Sequence, residues 1–295
     1  MLDKLVKKTA KFTLAASTLF AVSGLAFAGV ADTLAVGEDA WTRRAEGHHG
    51  PRAAPVPIQK AVDAYRASLD AEPENLEARW KLLRALYFQG EFVLDNPDSR
   101  LELFEHSRDL ADAGVRQIER QHGLRKNSLK MKPQEVAEAI GKDAMAAEIY
   151  FWCAAHWGLW GRYSNKMAAA RQGVAGRVRQ FAEIVILLDE HVESAGGHRL
   201  LGRLHTKAPK VPFVTGWVSR DQAISELRRA REIAPRDLLN NFFLAEALLK
   251  FRREQKEEAM SILRIIVQSH PDPNALVEDI KTIEEAEALL IILDS

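Results

Sequence analysis

The chain has 295 residues, 47% hydrophobic and 28% charged, the balance of an ordinary soluble globular protein with enough apolar residues to bury a large core. Lys plus Arg and Asp plus Glu number 41 each, so the chain lacks the basic footprint of a nucleic-acid binder and no nucleic acid is expected as a partner. A single cysteine, Cys153, rules out an internal disulfide and leaves stability to packing.

The first element is a targeting segment. Lys4, Lys7, Lys8 and Lys11 precede an uncharged run from Phe12 to Ala28 that ends in the small-x-small pattern Ala26-Phe27-Ala28. This predicts a secretory signal peptide over residues 1–28, cleaved after Ala28, and a periplasmic protein. The alternative is an uncleaved anchor, for which the run is near the short limit. No Cys lies near the cleavage site, so the usual lipid-attachment residue is missing. Residues 29–57 cluster Gly, Pro and charge without a lasting period, which predicts a flexible linker. Its His48-His49 pair reads as a solvated dipeptide rather than a metal site.

From Ile58 onward helical periods dominate, and residues 58–295 are expected to form one helical domain. Ala61, Tyr65, Ser68 and Pro73 fall at offsets of four, seven and twelve from the first. Ala223, Leu227, Ala230 and Pro235 repeat that spacing, as do Ala259, Leu263, Ile266 and Pro271. Val178, Ala182, Val185 and Glu190 share the offsets without the proline. A small residue, a large one a turn later and a closing Pro form the second-helix half of a tetratricopeptide repeat. Trp80, Leu83 and Tyr87 match the first-helix half, with Arg84 where Gly is usual; His198, Leu201, Gly202 and His205 match it with His in place of both aromatics. The fold expected is all-α: an α-solenoid of tetratricopeptide-like helix hairpins with a divergent central region at 99–217. There, Leu103, Leu110 and Ile118 share one face of a long helix, and Pro133 restarts another. The stretch from Asn274 to Ser295 reads as a capping helix over the last apolar face.

The densest signal is "EIYFWCAAHWGLWGR", which holds three of the six Trp and has no charge between Ile149 and Gly161. Residues 143–162 are predicted as one helix of about five turns. Ala147, Ala154, Gly158 and Gly161 gather on one side; Trp152, His156, Leu159, Trp160 and Tyr163 gather opposite. Such a helix belongs at the centre of its domain, as plain core or as a wall of an apolar ligand site. The candidate ligand-binding residues are Trp152, His156, Trp160, His198 and His205. His198 and His205 lie two turns apart, about 10.5 Å, too far to chelate one ion together. A metal set of His156, His198 and His205 carries little weight, and neither metal nor cofactor is expected. No H-E-x-x-H or G-x-S-x-G motif is present, so no enzymatic activity is expected.

In order along the chain, "IYFWCAAHWGLWGRY", "LLDEHVES", "AGGHRLLGRLHTKAP", a Gly/Trp loop and "LLNNFFLAEALLKFRR" together resemble the T-component family of TRAP (tripartite ATP-independent periplasmic) transporters. The likeness covers residues 143–253 and is most specific at Gly196-Gly197 with Lys207-Ala208-Pro209. It implies an all-helical periplasmic protein with cryptic tetratricopeptide repeats, and a homo-oligomer such as a trimer. It implies a hydrophobic opening in each subunit, a solute-binding protein as partner, and apolar or organic-acid solutes. The missing lipid-attachment Cys departs from many family members. A tetratricopeptide scaffold for protein–protein interaction, with the aromatic helix as core and no small-molecule ligand, is the competing expectation.

Overall fold

A computed structural model describes residues 29–212 and 214–294 of the chain; the segment read as a signal peptide lies outside the described residues. Among these the protein is all-helical, with thirteen α-helices packed against one another and no β-strand. None of these helices is long and apolar enough to cross a membrane.

The expected linker is not one. Val30–Thr42 forms helix α1, which packs along α2 (Pro55–Ala71). Ala40 and Ala53 are buried. Gly37 sits on the Tyr65 ring so closely that an added Cβ would lie 2.4 Å from Cε1. The Gly and Pro content of this stretch therefore serves close packing and helix entry, whereas composition alone reads as loop.

Local sequence sets the next boundaries. Helix α2 ends before Pro73, and α3 (Leu76–Phe88) begins on the Asn75 side chain, which accepts from Ala78 N at 2.9 Å. α3 passes into a π-turn at Gln89–Val93. α4 (Pro97–Gln121) starts with Pro at its first position, as does α5 (Pro133–Ile140). The core face of α4 is Phe104, Ser107, Ala111, Val115 and Ile118, while Leu103 and Leu110 are only partly buried.

α6 (Ala144–Tyr163) is the aromatic helix, capped by Asp143, whose carboxylate accepts from Ala146 N at 3.1 Å. It lies between α4 and α8 (Val174–Leu188), with the short α7 (Lys166–Arg171) linking it to the latter. α3 and α9 (Val192–Lys207) touch its remaining sides. α10 (Arg220–Ile233), α11 (Leu238–Phe251), α12 (Lys256–Gln268) and α13 (Leu276–Asp294) then pack each on the one before. Gly202 sets the approach of α9 to α10: a Cβ there would lie 2.4 Å from Leu227 Cγ and 3.2 Å from the Ala223 carbonyl oxygen.

The last helix returns to the first. Val277 of α13 is fully buried in the same apolar cluster as Ile58, Val62, Phe88 and Phe92. Arg44, 8% exposed, donates to Glu278 Oε1 at 2.9 Å and to the Asn274 carbonyl. Lys281 Nζ lies 3.5 Å from Glu91 Oε2. This closure surrounds a hollow.

Candidate functional site

Five residues were expected to converge on a ligand, and the structure brings them to different places. His156 is fully buried between α3 and α4. Its Nε2 is 3.0 Å from the Leu83 carbonyl oxygen, which only accepts, so the proton sits on Nε2. Nδ1 then accepts from the Ser107 hydroxyl at 2.7 Å. Burial lowers the imidazole pKa to about 4, and the ring is neutral and internally satisfied. Trp160 is 5% exposed beneath the Arg108 guanidinium, 4.0 Å from its ring. His198 Nδ1 meets Glu226 Oε2 at 2.7 Å and ties α9 to α10. His205 Nδ1 accepts from Ser219 N at 3.1 Å, with its ring edge-on to Trp217. Burial, then Arg179, lowers its pKa. Cys153 is buried, donating to Asp112 at 3.4 Å, and burial pushes its thiol pKa well up. Among the described residues no cluster of three His, Cys, Asp or Glu side chains is placed to hold a metal ion.

Trp152 alone of the five faces the hollow. This cavity has a volume of about 550 Å³ and lies where α1, α3, the π-turn, α6, α9, α11 and α13 meet. Its aromatic wall is formed by Tyr87, Phe92, Phe151 and Trp152, with Trp41 and Phe243 further round. The rings pack on one another: Tyr87 and Trp152 centroids are 5.5 Å apart, and Phe151 and Trp152 4.9 Å apart, edge to face. Sequence reading missed most of this wall. Trp41 fell in the supposed linker, and α13 comes from the opposite end of the chain. One signal was present: Arg84 stands where the repeat pattern would have Gly, and it stacks on Trp41 at 4.0 Å and Trp80 at 4.9 Å.

Charge on the wall is mostly paired. Arg84 bonds Glu38 at 3.3 Å, Arg162 meets Glu91 at 3.3 Å, and Arg203 pairs with Glu246. Glu91, 6% exposed, accepts from the Tyr163 hydroxyl at 2.7 Å. Burial would raise its pKa, but Lys281, Tyr163, Arg162 and Arg100 together hold it below the usual carboxylate range. Other carboxyls behave oppositely, among them Asp279 of the wall, which burial raises to about 6. Burial, followed by repulsion from Glu193, raises Glu148 to about 7, and burial also raises Glu193. Glu148 Oε2 is buried without a hydrogen-bond partner. The Trp152 indole N–H has no well-formed bond either, although it lies near enough to lower the Glu148 pKa slightly.

Glu193 is delivered by an unusual backbone. Glu193, Ser194 and Ala195 hold φ of 49°, 57° and 65°, a left-handed turn before the regular part of α9. None is Gly, and the left-handed state costs such residues roughly 1–2 kcal/mol each. Arg199 braces the turn by donating to the Glu193 carbonyl at 2.9 Å and the Ser194 carbonyl at 3.3 Å, joined there by Asn240 Nδ2 at 2.8 Å. Gly196 and Gly197 let the turn lie flat on its neighbours. A Cβ on Gly196 would sit 2.3 Å from Phe151 Cε2, and one on Gly197 2.8 Å from Ile186 Cγ1. Strain held in place by surrounding contacts concentrates at functional sites. No known family model matches the chain, and no curated protein resembles it significantly.

Proposed function

We propose that the protein is a non-enzymatic periplasmic accessory protein of a TRAP-type uptake system, which holds or passes an apolar solute in the cavity and docks on a solute-binding partner. The observation that carries this reading is the cavity of about 550 Å³, walled by Tyr87, Phe92, Phe151 and Trp152. Its size and aromatic lining are those of small-molecule sites. Burial of the spaced positions supports the repeat reading: Ala61, Tyr65, Ala223, Leu227, Ala259 and Leu263 are fully buried. Successive packing of α9 to α13 supports a solenoid that curls back on its first hairpin.

The test is native mass spectrometry of the protein purified from its own cells, as wild type and as Trp152→Ala. A stoichiometric apolar ligand in the wild type, lost from the variant, is the expected result. Its absence from the wild type overturns the reading. The scaffold alternative draws on a separate groove of about 540 Å³ between α2, α3 and α4, lined by Leu82, Leu86, Leu103 and Leu110. Partner capture that survives Trp152→Ala but not Leu103→Glu would favour it.

A further inference from the structure

The proposed solute site leaves its solute class open, and the pairing of charges around the cavity bears on that question. Every cationic side chain on the wall already has an acceptor. Arg44 is held by Glu278, Arg84 by Glu38, Arg162 and Lys281 by Glu91, Arg199 by Asp237 and Asn240, and Arg203 by Glu246. The Glu193 carboxyl is different. It lines the cavity, and among the described residues no donor forms a hydrogen bond or ion pair with it. Arg199, the nearest brace, spends its N–H groups on the Glu193 and Ser194 carbonyls and on Asn240. A strained left-handed turn is thus maintained to aim an unpaired carboxyl into an aromatic hollow.

The aromatic rings show the same vacancy. Arg84 occupies Trp41, Lys281 sits over Phe92 and Arg203 over Phe243. Among the described residues no cationic side chain stacks on Tyr87, Phe151 or Trp152. Three electron-rich rings without a stacked cation, beside a carboxyl that no cation bonds, form the arrangement that recognises ammonium groups.

We propose that the cavity binds an organic cation, an amine or quaternary ammonium on an apolar body, with Glu193 as its counter-ion and Tyr87, Phe151 and Trp152 as its cage. This rests on the reading of the cavity as a solute site and narrows it from apolar solutes in general. An anionic solute would meet Glu193 with no unengaged cation to receive it. The charged groups facing Glu193 are Glu148 of α6, Arg84 of α3, Arg44 after α1, Arg199 of α9 and Asp237 before α11. Burial outweighs the three arginines and raises the Glu193 pKa, and Glu148 beside it is raised to about 7, so ionisation of this pair as pH rises strengthens the hold on a cation.

The experiment is isothermal titration calorimetry with three probes: benzyltrimethylammonium chloride, benzyl alcohol and phenylacetate, each at pH 6 and pH 8. Benzyltrimethylammonium carries a permanent charge, so any pH dependence belongs to the protein. We expect it to bind at pH 8 at least tenfold more tightly than phenylacetate, and more tightly at pH 8 than at pH 6. Glu193→Gln, folded by circular dichroism, should lose at least tenfold toward the cation and keep its affinity for benzyl alcohol. If that variant does not fold, the wild-type probe ranking and pH profile still decide. Phenylacetate binding as tightly as the cation, or Glu193→Gln leaving cation binding unchanged, overturns the inference. Binding of benzyl alcohol without preference for the cation overturns it and leaves the solute site standing. Binding of none of the three at millimolar concentration overturns both.

Discussion

Glu148 offers a direct measure of how dry the interior beside Trp152 is. Its carboxyl lies beside Trp152, with Oε2 buried and unpartnered, and burial raises its pKa to about 7 from 4.5. Between those values the folded protein holds a proton that the unfolded chain releases. Stability from this group is therefore present below pH 4.5 and is lost as pH rises toward 7. A shift of about 2.5 units corresponds to roughly 3 kcal/mol, and because the side chain is partly exposed about 2 kcal/mol is the fairer figure. Glu148→Gln mimics the protonated form and should stabilise the protein by about 2 kcal/mol at pH 8 while changing little at pH 5. In thermal unfolding that is a rise of about 4 °C at pH 8 for a domain of this size. The difference between variant and wild type is the quantity to read, because His156 acts in the opposite sense. Its pKa is lowered from 6.5 to about 4, so stability from His156 is present above pH 6.5 and lost as pH falls toward 4. Equal melting shifts for Glu148→Gln at pH 5 and pH 8, or destabilisation at pH 8, would refute the placement of this carboxyl in a dry environment.

Other outcomes follow from contacts elsewhere. Gly202→Ala should destabilise by about 1–3 kcal/mol in urea unfolding, because its Cβ meets Leu227 and the Ala223 carbonyl; additivity with Leu227→Ala would contradict that contact. His156→Leu strands the Ser107 hydroxyl and the Leu83 carbonyl and should cost about 1–3 kcal/mol per group, with loss of the acid-side titration. Native Cys153 should resist iodoacetamide at pH 8 and react only after unfolding; labelling of the folded protein within minutes would show that the thiol is accessible. Arg44→Met breaks a largely buried pair with Glu278 and should loosen α13, seen as faster amide exchange over residues 276–285 with little change in α6.

The helices were readable because their signals are local. Asn75, Asp143 and Ser219 cap as such residues do, the proline at 133 starts a helix, and Ala61 with Tyr65, Ala223 with Leu227 and Ala259 with Leu263 are buried a turn apart. Residues 29–57 were misread because composition does not distinguish a Gly that loosens a chain from one pressed on a tyrosine ring. The candidate site was the least readable part. Helical angle correctly put Trp152 and His156 on a bulky face, but that face meets a hollow at Trp152 and a filled core at His156. The difference is made by α4, whose Ser107 and Phe104 fill the space about His156. Those partners lie about fifty residues away in sequence, beyond any local pattern.

A helix can therefore serve as core and wall at once, and α6 does so along its length. At Cys153 and Trp157, Asp112 of α4 satisfies the thiol and the indole N–H together. At His156 both ring nitrogens are used. These contacts fix the rotation of α6, and with it the direction of Phe151 and Trp152 toward the cavity. Gly196 then allows the left-handed turn to rest on Phe151, which carries Glu193 to the same hollow from the other side. The histidine that looked most like a ligand is internally bonded, and the carboxyl of Glu193, which drew no notice in the sequence, is left without a partner where a solute can reach it.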